Sequence, residues 1–194
     1  MNFLAHLYLS GDFDEGMLGN LMADFVKGLP PPEWSQPLRQ GIFLHREIDS
    51  FTDSHPVVRE SKVRLSPTYR HYSAVIVDIF YDHFLAVHWR RYHDLPLAHF
   101  AKEVYQLLNE KWSLLPESMH LMAQRMQQQN WLTGYAQLTG IERVFRGMAR
   151  RTRFVSGMER ATEDLRKDYA LYEAEFLQFF PDLVQHVAEW QAKP

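Results

Sequence analysis

"IVDIFYDHFLAVHW", residues 76–89, decides the fold. Large apolar side chains occupy every side of a 3.6-residue repeat, and a helix that is apolar all round belongs inside a protein. The same stretch carries Asp78 and Asp82 four residues apart, with His83 and His88 beside them. An ionised carboxylate is costly to bury unless something pairs with it. The central helix and its acid pair therefore pose one question: what neutralises two aspartates in a core segment?

Outward from this segment the periodicity stays helical. Met17, Leu18, Leu21, Met22 and Phe25 fall at spacings of three and four within 14–28, and Gly28 ahead of three prolines stops that helix. Residues 35–53 resume the pattern with Leu38, Ile42, Phe43 and Ile48, and the His55-Pro56 pair ends it. Helices are expected over 72–92, 97–113, 117–133 and 138–150, with a long last one over 156–190 broken at Pro181. The alternation of polar and apolar residues that marks strands is absent. The chain reads as a single all-α domain, residues 1–194, of about seven or eight helices.

Composition narrows the function. The net charge is −3, so no global attraction to nucleic acid or membranes is implied. There is no cysteine, which removes disulfides, thiolate nucleophiles and Cys-based zinc sites and fits a reducing cytoplasm. The N-terminal run lacks a basic region and a cleavage site, so no signal peptide is expected. No apolar run reaches the roughly 20 residues of a membrane span. Ten histidines are many for 194 residues and give the first hint of a metal site.

A second segment, "GIFLHREIDSFTDSHP" at 41–56, sets His45 and Asp49 one helical turn apart at the edge of the apolar stripe formed by Leu44, Ile48 and Phe51. His6 in "NFLAHLYL" and Asp24 after "GNLMA" are further candidates. Imidazole nitrogens and carboxylate oxygens converging from several helices are what a bundle uses to hold Mn²⁺, Mg²⁺ or Fe²⁺. Each feature also has a plainer reading: a hydrogen-bonded core histidine for His6, an intrahelical hydrogen bond for His45–Asp49, salt bridges for the aspartates. Together they favour a metal. The literal His93-Asp94 pair precedes a proline, where Asp serves better as a helix cap. The main rival is a non-catalytic helical binding protein whose acids pair with Arg46, Arg59 or Arg64; a di-iron carboxylate bundle ranks low.

"MNFLAHLYLS", "GNLMADFVKG", "GIFLHREIDSFTDSHPVVRES" and "IVDIFYDHFLAVHW" resemble, in order and spacing, the acyl carrier protein phosphodiesterase family. The resemblance implies a helical fold distantly related to HD-domain metal phosphohydrolases. It implies Mn²⁺-dependent hydrolysis of holo-acyl carrier protein, with release of 4′-phosphopantetheine. The chain departs from the HD signature: its adjacent pair is the inverted Asp82-His83. On this reading His45, Asp49, Asp78 and Asp82 are the expected metal ligands, with Asp24 and His6 as further ligands or as residues orienting them. His83 or Arg46 is expected to protonate the leaving serine or steady the phosphate, for which the Arg46 guanidinium has the matching planar fork.

"IERVFRGMARRTRF", residues 141–154, holds Arg143, Arg146, Arg150, Arg151 and Arg153 against one acid, Glu142. The bland reading is a solvated basic helix end. Acyl carrier proteins are small and acidic, so the resemblance makes this stretch the expected docking surface for the carrier.

Overall fold

The computed structural model describes residues 1–152 and 155–193. Among the described residues it contains eleven α-helices and no strand: α1 Phe3–Leu9, α2 Glu15–Met22, α3 Gln36–Ser54, α4 Pro56–Tyr69, α5 Ser73–Val87, α6 Leu97–Glu110, α7 Glu117–Gln128, α8 Trp131–Gly134, α9 Leu138–Ala149, α10 Ala161–Lys167 and α11 Tyr169–Gln191. The all-α expectation holds, and the number of helices exceeds it. The apolar N-terminal run and residues 56–69 each form a helix, and the expected last helix divides at Asp168.

Pro181 does not break α11, contrary to the expectation from sequence. Proline in a helix interior removes one hydrogen bond and crowds the preceding turn, a cost of about 3 kcal/mol. Here Phe176, Phe179 and Phe180 before it and Leu183 and Val187 after it are all buried. One continuous apolar stripe on both sides of the proline outweighs the local penalty, as tertiary packing commonly does. None of the helices is long and apolar enough to cross a membrane among the described residues.

Helix α5 is the central element. From Ile76 to Ala86 every residue except Asp78 is buried. Phe80 meets Phe145 of α9 at 5.9 Å and Tyr172 of α11 at 5.1 Å between ring centroids. Tyr81 meets Phe176 at 5.8 Å and Phe179 at 5.5 Å. These edge-on and tilted pairs are the favoured aromatic geometries and lock α9 and α11 onto α5.

Helices α2 and α3 approach so closely that glycine is obligatory at the crossing. A Cβ on Gly19 would lie 2.0 Å from the Leu38 carbonyl oxygen, and one on Gly41 would lie 2.0 Å from the Gly16 carbonyl oxygen. Ser35 caps α3 through the Leu38 amide and Asp14 caps α2 through the Gly16 and Met17 amides. This tight crossing carries Asn20 and Asp24, at the end of α2 and just beyond it, against His45 and Asp49 of α3.

Candidate active site

His6 from α1 and His45 from α3 stack with ring centroids 4.0 Å apart, and both are buried. Each turns Nε2 toward Asp49: His6 lies 3.2 Å from Oδ1 and His45 lies 3.2 Å from Oδ2. Asp24 reaches His45 Nε2 at 3.3 Å from the exposed side. The ligand atoms of His6, His45 and Asp49 all lie within 4.8 Å of one another. Nitrogen and oxygen donors bind first-row divalent metals at about 2.0–2.2 Å, so donors sharing one ion sit at such separations.

Behind the rings stands Asn20, fully buried and not singled out by sequence patterning. Its Nδ2 donates to the His6 carbonyl at 3.0 Å and to Ser10 Oγ at 2.9 Å, which fixes its Oδ1 as an acceptor. His6 Nδ1 lies 2.9 Å from that Oδ1, and His45 Nδ1 lies 2.8 Å from the Asn20 carbonyl oxygen. Both Nδ1 atoms therefore carry hydrogen, and both Nε2 atoms are left to face Asp49. The only sequence signal for Asn20 was a polar residue four before Asp24 in an otherwise apolar helix face.

His6 thus has oxygen acceptors at both ring nitrogens. A neutral imidazole donates only once, so the Nε2–Asp49 contact needs a cation between lone pairs, either a proton or a metal. Burial pushes the His6 pKa down and works against the proton, although Asp49 pulls the other way. For His45 burial also opposes the charge, but hydrogen bonds to Asp24 and Asp49 outweigh it and hold the imidazole up at about 9. Asp49 is held well below the usual carboxylate range: burial acts against its charge, and His45 and His6 overcome it. Hydrogen bonding to His45 likewise depresses Asp24. The donor set fits a divalent cation.

The two aspartates of α5 go to different places. Asp78 lies at the margin of the cluster, where its Oδ1 is 3.1 Å from the Met1 α-amino nitrogen; the same nitrogen is 3.8 Å from Asp49. Asp82 is fully buried and turned away from the cluster. Its carboxylate accepts from the backbone amides of Asn2, Leu4 and Ala5 at 3.3, 2.7 and 3.2 Å, filling the first turn of α1. Burial pushes its pKa up to about 7 against those three donors and the α-amino charge. The structure therefore does not bring Asp82 to the metal donors; it makes Asp82 the anchor of the helix that carries His6.

His83 and Arg46 are not at the cluster either. His83 is buried with Nδ1 2.7 Å from the Tyr135 carbonyl oxygen and Nε2 3.0 Å from Tyr169 Oη. Arg46 Nη2 donates to the Val26 and Gly28 carbonyls, closing the turn after α2. Of the other arginines weighed as partners for the acids, Arg64 pairs with Glu175 at 2.5 Å and Arg59 donates to the Asp53 carbonyl at 3.4 Å. The sequence has one Glu-x-x-His run, Glu117 to His120; His120 Nε2 lies 3.2 Å from the Leu115 carbonyl oxygen, and neither residue joins a cluster of metal-binding donors among the described residues.

The cluster opens into a cleft of about 1110 Å³. Its lining includes His6, Asp24, His45, Asp49 and Asp78 and also Arg125, Arg143, Arg146, Arg150 and Arg151. Arg146 pairs with Glu142 at 2.8 Å. Arg153 lies outside the described residues. Acidic and imidazole side chains thus share one cavity with guanidinium groups. Such a cavity can hold a cation and an anionic ester side by side.

No solved structure matches the chain. The family profile described as "Acyl carrier protein phosphodiesterase" matches residues 1–183. A relative from Photorhabdus laumondii, named acyl carrier protein phosphodiesterase, is 37% identical over 188 residues, covering 95% of this chain and 94% of the relative. Relatives of the same name from Pectobacterium atrosepticum and Serratia proteamaculans are 35% and 33% identical, covering 95% and 98% of this chain and 96% and 100% of their own. The chain belongs to the acyl carrier protein phosphodiesterase family.

Proposed function

We propose that this protein hydrolyses the phosphodiester that joins 4′-phosphopantetheine to the serine of holo-acyl carrier protein, in the cytoplasm. The observation that carries the reading is the His6–His45–Asp49 cluster sharing one cleft with arginines, in a chain whose relatives bear that enzymatic name. A water oxygen attacks phosphorus, the bond from phosphorus to the serine oxygen breaks, and that oxygen leaves with a proton. The products are apo-carrier protein and 4′-phosphopantetheine. Kinship with HD-domain phosphohydrolases is part of the same proposal.

His6, His45 and Asp49 would hold a divalent cation, Mn²⁺ foremost with Mg²⁺ and Fe²⁺ as alternatives, and Asp24 and Asp78 stand at its margin. Such a cation supplies Lewis acidity, lowering the pKa of water and offsetting phosphate charge. The chain's own residues do the rest. Asn20 holds both imidazoles with Nε2 toward the cleft. Asp24, kept ionised by His45, is exposed where a water proton could be received. The cleft arginines draw the diester anion in and hold its oxygens by charge-assisted hydrogen bonds. Arg143, Arg146, Arg150 and Arg151 also form the basic rim to which an acidic carrier protein would dock.

The deciding experiment incubates the purified protein with holo-carrier protein and follows intact mass. The expected result is loss of the whole 4′-phosphopantetheine group, silenced by a chelator and restored by Mn²⁺. Phosphoserine left on the carrier would show that the other ester bond breaks.

A further inference from the structure

Half-buried apolar side chains line the cleft, among them Phe3, Val75, Met122, Trp131, Val144 and Met148. They come from α1, α5, α7, α8 and α9, and Phe3 and Trp131 meet at 6.3 Å between ring centroids. Holding a phosphate at the cluster needs none of them. The cleft is also larger than a phosphate requires, matching the upper range of pockets that enclose whole small molecules, about 300–1,000 Å³.

Two glycines add an independent sign. Gly134 and Gly147 both line the cleft, and neither has a positive φ. A Cβ on Gly134 would meet nothing within 4 Å, and one on Gly147 only the far end of Arg151 at 3.9 Å. Helical glycine is unfavourable relative to alanine, and packing usually explains it. Packing explains Gly140, where a Cβ would lie 1.9 Å from the Gly134 carbonyl oxygen. It explains neither Gly134 nor Gly147, whose missing side chains leave only open cleft.

We infer that this apolar wall is the seat of the pantetheine arm of the substrate, with Gly147 left bare so that the arm can lie along α9. The inference rests on the diester-hydrolase reading above and extends it to the group that confers specificity. The serine and the arm are bonded to the same phosphorus. With that phosphorus at the His6–His45–Asp49 cluster, the folded carrier protein stays outside the cleft, at its rim. The arm is thin, has a gem-dimethyl group and two amides, and must occupy the rest of the cavity. Its apolar carbons match the Trp131, Met122 and Val144 surface.

The test compares two ligands by calorimetric titration of the metal-loaded protein: 4′-phosphopantetheine, and ethyl phosphate, which keeps the phosphate but lacks the arm. Wild type is expected to prefer the first by at least tenfold. Gly147→Leu, which fills the groove from a helical position with open space, is expected to cut that preference to under threefold while melting no lower than wild type. Trp131→Ala perturbs the wall in the opposite sense, by removing contact area, and is expected to reduce the preference likewise. Equal affinities in wild type, or a preference untouched by both substitutions, would overturn the assignment. A wild type that leaves holo-carrier protein uncleaved defeats the proposed activity instead; the affinity ratio needs no turnover and still decides the groove.

Discussion

His6 and His45 lie 4.0 Å apart in near-parallel stack, and both direct Nε2 to the single carboxylate of Asp49. Two imidazoles so close cannot both be charged without strong repulsion, yet each faces an anion. One shared cation would satisfy both imidazoles and the carboxylate with less repulsion than two protons. Replacing Asp49 with Ala should therefore leave a helical, folded protein that has lost both bound Mn²⁺ and turnover. Metal analysis after gel filtration checks this, and full metal content in the variant would remove Asp49 from the site.

Asn20 should act through the two histidines. Its amide makes four hydrogen bonds in the core, and Asn20→Ala strands the His6 Nδ1 hydrogen, while the Ser10 hydroxyl keeps its bond to the His6 carbonyl. Loss of such an orienting partner typically costs 10–100-fold in metal affinity, and the unsatisfied group costs about 1–3 kcal/mol of stability. Mn²⁺ titration and urea unfolding measure the two effects separately. A variant with lowered stability but unchanged metal affinity would show that Asn20 only fills the core.

Asp82 is expected to behave differently from Asp49. Asp82→Ala leaves the first-turn amides of α1 without their acceptor in the interior, for a loss of about 3 kcal/mol. Because α1 carries His6, metal affinity should fall with stability rather than ahead of it. Parallel chemical denaturation and Mn²⁺ binding on Asp82→Ala and Asp49→Ala distinguish the anchor from the ligand.

His83 gives a pH signature. Burial lowers its folded-state pKa below the ordinary 6.5, so the unfolded chain binds the extra proton first as pH falls. Its contribution to stability is present above pH 6.5 and is lost as pH drops through that value toward the folded-state pKa. Asp82 slopes the other way, since its pKa of about 7 makes the folded state the better proton binder between pH 4 and 7. The difference in unfolding midpoint between wild type and His83→Gln, followed from pH 8 to pH 5, isolates the histidine. It should shrink toward low pH.

Arg150 and Arg151 are exposed at the cleft rim and form no ion pair among the described residues. Removing both should raise KM for holo-carrier protein several-fold with little change in kcat, and more at low salt, because rim charges act mainly on encounter. An unchanged KM and salt dependence would place the docking surface elsewhere.

By itself the sequence determined the helical class and the burial of most of 76–86, and it singled out His6, Asp24, His45 and Asp49, which the fold brings together, because helical class and the one-turn pair rest on local spacing along single helices. Periodicity states which face of a helix is apolar, and a one-turn pair such as His45–Asp49 is visible without any fold. Where the partners of a buried acid lie is not local. Asp78 and Asp82 look equivalent in sequence, four residues apart on one helix, yet the position of α1 gives Asp82 three backbone amides and leaves Asp78 at the cluster margin. Arg46 and His83 were plausible by chemistry, but the turn after α2 and the Tyr135 carbonyl claim them. Asn20 acquired its role only through the glycine-lined crossing of α2 and α3, where backbones approach closely enough for one amide to meet two imidazoles. Tertiary structure made these choices because hydrogen-bond partners are selected across helices, at distances that sequence spacing does not encode.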